Sequence, residues 1–131
     1  MIPPLDKFTL LHSWNELYVN IHAALKQFPK RDSHGIGARI DQTALNMLEY
    51  LIMASKKMGA QRILLLEKLD RELVKEKILV RLSNRVKAMS DGSYIDIEKR
   101  IVEMGKMTGG WMKEERRKIA DSKTNNGGML S

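Results

Sequence analysis

Apolar residues return every three or four positions along this chain, in four successive stretches separated by breakers. In the first, Leu10, Trp14, Leu17, Ile21, Ala24 and Phe28 step by four, three, four, three and four. That spacing puts them on one stripe of a helix over about 7–27. Pro29 then pushes Phe28 out of helical conformation, and Asp32 or Ser33 is placed to cap the next segment. The second stretch, 34–58, carries Ile36, Ile40, Thr43, Met47, Tyr50 and Ala54 at the same spacing. Leu48, Leu51 and Ile52 widen its stripe, as a bundle helix needs and a two-stranded coil does not. Gly59 is the expected terminator. The third stretch, 60–89, shows Leu66, Leu69, Leu73 and Val80, continued by Leu82, Val86 and Met89, with Glu76 and Lys77 interrupting the pattern. Asp91-Gly92-Ser93 reads as a turn in which Asp91 or Ser93 caps the fourth helix, 94–118, whose stripe is Ile97, Ile101, Met104, Thr108 and Trp111.

Pro3, Pro4 and Pro29 are the only prolines, so the stretch from 34 to 119 carries no rigid breaker. Four long helices with short connections predict an all-α fold, an antiparallel up-and-down four-helix bundle. The division expected is a bundle domain over 1–119 and a mobile C-terminal tail over 120–131, where Asn125, Asn126, Gly127 and Gly128 cluster. Gly105 and Gly109 lie four apart beside the stripe of the fourth helix. Glycine is costly in mid-helix, so the pair predicts a partner helix approaching closely.

The chain has 131 residues, which is one domain's worth. It has no cysteine, so disulfides, a thiolate nucleophile and Cys-based zinc or iron–sulfur sites are excluded. No run approaches the roughly 20 apolar residues of a membrane span. The first residues lack the basic-then-apolar pattern of a secretory signal. The expected location is the cytoplasm.

Lys and Arg total 23 against 16 Asp and Glu, a net charge of +7. That surplus favours a polyanionic partner. In an up-and-down bundle the first and third connections share one end, and the second connection meets the end of the fourth helix. One group of cations, Lys26, Lys30, Arg31 and Arg39, surrounds the first connection, and Arg81 and Arg85 lie late in the third helix. A second group joins Lys56, Lys57 and Arg62 with Lys113, Arg116 and Arg117. These twelve are the candidate contacts for RNA or DNA, made to the phosphate backbone without reading base sequence. The competing reading is a solvated mixed-charge surface, since Glu67, Asp70, Glu72, Glu76, Glu114 and Glu115 interleave with the cations.

Catalytic chemistry finds no foothold. His12 and His22 are ten apart and point in different directions, and His34 stands at a helix start. No HExxH, no Glu-x-x-His repeat, no nucleophile elbow and no phosphate loop occurs. No metal or cofactor is expected, and no enzymatic activity. Trp14 and Trp111 fall on apolar stripes and are assigned to core packing rather than to base stacking.

Two motifs carry a family resemblance. Phe28-Pro29-Lys30 followed by Gly35-Ile36-Gly37-Ala38-Arg39-Ile40 is one, and the run from Glu103 through Met104-Gly105-Lys106-Met107-Thr108-Gly109-Gly110-Trp111 to Lys113 is the other. Together they resemble the family of Avd, the accessory variability protein of diversity-generating retroelements, and the related proteins encoded by intervening sequences of bacterial 23S ribosomal RNA genes. The resemblance covers residues 8–115. It implies a ring of five four-helix bundles, a homopentamer. It also implies binding to nucleic acid through a basic surface and to the element's reverse transcriptase. That partnership supports template-primed cDNA synthesis in mutagenic homing, with no catalytic activity of the accessory protein itself. Lys30 and Arg39 match the first motif. Gly105, Gly109, Gly110 and Trp111 match the second, with a role in assembly or helix packing. A structural or protein-interaction scaffold that binds no nucleic acid is the alternative.

Overall fold

The computed structural model describes residues 7–130, and the side chains of 9–124. Five helices occur and, among the described residues, no strand: α1 (Lys7–Leu25), α2 (Lys30–His34), α3 (Ile36–Ser55), α4 (Gly59–Arg85) and α5 (Asp91–Leu130). The four long ones form a four-helix bundle. α4 packs along both α3 and α5, α1 lies against α3 and α5, and the short α2 rests on α3.

The stripes expected for α1, α3 and α5 make the core, except that Ile52 of α3 points outward, 44% exposed. Leu10, Leu17, Ile21, Ile40, Met47, Leu51, Leu66, Leu69, Ile97 and Met104 are all fully buried. Trp14 is buried as expected, and its indole N–H donates to the Ala44 carbonyl at 2.8 Å. That bond satisfies the one polar atom of a side chain otherwise held by apolar contact. Trp14 also stacks on Tyr18, whose hydroxyl donates to Asp41 at 2.7 Å.

Three element boundaries differ from the pattern reading, each for a local reason. The break after α1 is not a plain loop: Pro29 stands as the N-cap of α2, at φ −56° and ψ 148°. A pre-set φ and a missing N–H suit proline to the start of a helix. Neither Asp32 nor Ser33 caps α3. That place falls to Gly35, without a side-chain bond. Two residues on, a Cβ at Gly37 would sit 3.0 Å from the Asp32 carbonyl oxygen and 3.2 Å from the Phe28 ring, so the α2–α3 corner closes only over a glycine.

The second difference is the end of α4, four residues short of the expected 89. Lys87 adopts φ 66°, the left-handed region. The Ala88 N–H returns to the Ser83 carbonyl at 2.8 Å and the Lys87 N–H to Asn84 at 3.0 Å. This is the Schellman stop, with lysine at the position glycine usually takes. α5 then opens on Ser90, whose hydroxyl accepts the Ser93 N–H at 3.2 Å. Ser90, rather than Asp91 or Ser93, is the cap.

Third, α5 does not end near 118 but runs helically to Leu130. At 1.5 Å per residue its 40 residues span about 60 Å, against about 40 Å for the 27 of α4. The tail expected to be mobile lies partly outside the described residues: no side chain beyond 124 is described, nor is Ser131.

The largest departure lies inside α4. Glu76 does not interrupt the stripe; it belongs to it. Leu66, Leu69, Leu73, Glu76, Val80 and Ser83 step by three and four and are all buried, while Leu82 and Val86 point outward, 44% and 58% exposed. Both Glu76 carboxyl oxygens are buried without a hydrogen-bond partner. Burial, reinforced by the nearby charges of Glu72 and Asp41 and opposed by Lys75, pushes this carboxyl up to about 9. Glu49, by contrast, lies exposed on α3 rather than against the core.

Candidate nucleic-acid interface

The helix termini sort the candidate cations into two groups. The C-terminal half of α1 lies beside the start of α5, where Asn20, Ala23 and Ala24 share a shallow cavity with Gly92, Ser93 and Ile97. Asp41, early in α3, faces Glu76 in α4, and Arg81 reaches Glu98 in α5 at 3.4 Å. The end of α1, all of α2, the start of α3 and the end of α4 therefore gather at one end of the bundle. This end carries Lys26, Lys30, Arg31, Arg39 and Arg85, all exposed. Arg31 has Asp32 at 3.8 Å. Among the described residues, no ion pair engages Lys26, Lys30, Arg39 or Arg85. The neighbouring carboxylates are committed elsewhere: Asp91 accepts from Asn84, and Glu98 accepts from Arg81 and from the Tyr94 hydroxyl.

At the opposite end the second connection does meet the second half of the long helix, as the pattern required. The contact is made by a carboxylate, however, rather than by a cluster of cations. Glu115 accepts the Gly59 N–H at 2.7 Å and an Arg62 guanidinium N–H at 3.1 Å. Gly59 opens α4 at φ 64°, a conformation glycine takes without strain. Arg62 also donates to the Ala54 carbonyl at 2.9 Å and lies over the Trp111 ring, 5.1 Å from its centroid. With Arg62 17% and Glu115 6% exposed, this is an interior pair whose donors are spent on the α3–α4 turn. Arg62 thus leaves the candidate surface because its guanidinium is turned inward. Glu115 had a sequence signal that went unread: it falls four residues after Trp111 on the α5 stripe.

Two further cations at this end are held at the surface. Arg116 meets Glu67 at 3.3 Å, and Arg117 is shared between Glu114 and Asp121. The hydrogen bond from Arg117 holds the Glu114 carboxyl below its ordinary range. Lys56, Lys57 and Lys113 stay exposed without an ion pair among the described residues. Uncommitted cations are therefore present at both ends, and the second end mixes them with the paired carboxylates Glu67, Glu114 and Asp121.

In the glycine-rich motif Trp111 is buried, 7% exposed, and Gly110 half-buried. A Cβ at Gly105 or Gly109 would meet nothing within 4 Å. Among the described residues, no helix makes the close approach expected there.

Among the described residues, no group of three or more His, Cys, Asp or Glu could hold a metal ion. A cleft of about 290 Å³ between α1 and α5 is lined by His12, Glu16, Lys99 and Glu103, with Arg100 already paired to Asp96 at 3.1 Å. No described helix is long and apolar enough to cross a membrane.

A family model described as bAvd-like matches residues 8–115. No curated protein matches the chain.

Proposed function

Since the chain belongs to the bAvd-like family, we propose that it is a non-enzymatic basic accessory protein that binds RNA or DNA through the phosphate backbone. In this reading it supports the reverse transcriptase of a diversity-generating retroelement in template-primed cDNA synthesis during mutagenic retrohoming. The observation that carries the nucleic-acid part is the set of uncommitted cations at one end, contributed by the turn after α1 and by α2, α3 and α4. Cations that already hold carboxylates give up one partner to gain another, so their exchange for phosphate yields little. Lysines and arginines without such partners release condensed counterions at full value. The reverse transcriptase comes to this chain from the family resemblance.

The same reading takes the four long helices as an antiparallel up-and-down bundle. An early residue of one helix meets a later residue of its neighbour in Asp41 with Glu76, Glu98 with Arg81 and Glu67 with Arg116. Subunits of this kind join as a homopentameric ring, again on the family's pattern, and the proposed location is the cytoplasm. A ring is built from a contact between two different faces. The second reading, an interaction scaffold without nucleic-acid binding, is favoured by the aliphatic residues that α4 leaves outside.

Charge reversal at the two ends separates these readings. Lys30→Glu with Arg39→Glu is expected to weaken binding to labelled single-stranded RNA or DNA much more than Arg116→Glu with Arg117→Glu. Equal losses, or none from the first pair, would remove the proposed surface. A helical circular-dichroism spectrum matching wild type guards against misfolding, since all four residues are exposed.

A further inference from the structure

The outward face of α4 has a composition that phosphate recognition does not call for. Val74, Ile78, Leu82 and Val86 follow one another at intervals of four and are 54%, 53%, 44% and 58% exposed. Residues at that interval form a single ridge on a helix, inclined about 26° to its axis. Cations run along both sides: Arg71 and Lys75 on one, Arg81 and Arg85 on the other. The carboxylates in this stretch are withdrawn. Between 71 and 86 they are Glu72, drawn to Lys75 at 3.1 Å, and Glu76, fully buried. Lys75 and Arg81 hold carboxylates of this chain, whereas Arg71 and Arg85 are exposed and have no ion pair among the described residues.

A row of aliphatic side chains flanked by positive charge discriminates among partners. Nucleic acid uses the cations and gains nothing from the ridge. A membrane takes aliphatic groups segregated from the charges, but here Arg71, Ile78 and Arg85 lie on one line at intervals of seven, charge and hydrocarbon alternating. A helix that offers grooves for the ridge and carboxylates for its flanks satisfies both features.

We propose that the outer face of α4 docks an acidic amphipathic helix of another protein, with its apolar ridge seated beside Val74, Ile78 and Leu82 and its carboxylates against Arg71 and Arg85. This docking shares Arg85 with the nucleic-acid reading but differs from it in chemistry, because it needs the apolar ridge that phosphate does not use.

The test is fluorescence anisotropy with a labelled synthetic helical peptide that carries leucine along one ridge and glutamate on both flanks. A control peptide replaces each leucine with alanine. The full chain is expected to bind the leucine peptide at least about tenfold more tightly than the control. Ile78→Ser with Leu82→Ser, and separately Arg71→Glu with Arg85→Glu, are each expected to cost about tenfold or more, as anchor residues do. All four are exposed, so the helical spectrum should not change. Equal affinity for both peptides would reduce the face to a generic anion surface and overturn the proposal. So would unchanged binding by the Ile78→Ser, Leu82→Ser variant. Absence of peptide binding overturns it too. If sedimentation then shows that this variant has lost self-association, a second copy of this chain covers the ridge. If instead the variant has lost binding to phosphatidylserine vesicles, a lipid surface does.

Discussion

Replacing Glu76 with glutamine should stabilise this bundle, and by an amount that grows with pH. The carboxyl is fully buried and neither oxygen has a partner. In the folded chain its affinity for a proton is raised from the ordinary 4.5 to about 9. The folded state therefore binds this proton more tightly than the unfolded state. Stability from Glu76 is fully present below pH 4.5 and is lost as the pH rises towards 9. Each pH unit in that window removes about 1.4 kcal/mol, so the loss between pH 5 and pH 8 is of order 4 kcal/mol. That is a large share of the 5–15 kcal/mol that separates a typical folded domain from its unfolded chain, on the order-of-magnitude scale for natural proteins. Glutamine keeps the shape and leaves nothing to ionise. Urea unfolding of both proteins from pH 5 to pH 8 gives the difference directly, with other titrating groups cancelling between them. The expected result is a gap that widens in favour of Glu76→Gln with rising pH. A gap that is constant with pH would show that Glu76 does not change protonation differently in the two states and would refute the reasoning.

Other consequences follow from single contacts. Glu115→Ala leaves Arg62 charged and enclosed beside Trp111, and should cost about 3–5 kcal/mol, read as a lower urea midpoint. Leu69→Ala removes a fully buried side chain from α4 and should cost about 2–5 kcal/mol by the same measurement. Lys87→Gly relieves the left-handed backbone at the α4 stop and should raise stability by about 1 kcal/mol, visible as a higher melting temperature.

Much of the fold could be read from spacing, because helical burial obeys a period that sequence displays directly. The buried stripe of α1 is the one its spacing predicted, from Leu10 to Ala24, with Phe28 buried just beyond the helix, and that of α5 runs through Ile97, Ile101, Met104, Thr108 and Trp111. In the α4 stretch the spacing finds Val80 and Met89, both buried, but residue type hides Glu76, which holds the stripe position between Leu73 and Val80. Hydrophobicity alone brings in Leu82 and Val86, which face outward. Helix ends were less legible. The stop at Lys87 rests on a backbone conformation that no glycine announced, and the cap at Ser90 was one residue before the turn that drew notice.

Of the candidate surface, sequence supplied the cations and their placement at the two ends. It could not supply their pairing. Arg62 and Arg116 look alike as letters, yet one reaches inward to Glu115 and the other outward to Glu67. Long flexible side chains choose partners in three dimensions, and only the geometry separates a structural arginine from an available one.

The central claim is that uncommitted cations at one end of the bundle hold the phosphate backbone. Titration of the purified, nuclease-treated protein into labelled RNA and DNA across a salt series tests it most directly. The expected result is binding with little sequence preference whose affinity falls linearly on logarithmic axes as salt rises, each neutralised phosphate of a single strand contributing a slope of about 0.7. Absence of binding even at low salt would contradict the claim and leave the +7 charge to solubility and the bundle to protein interaction.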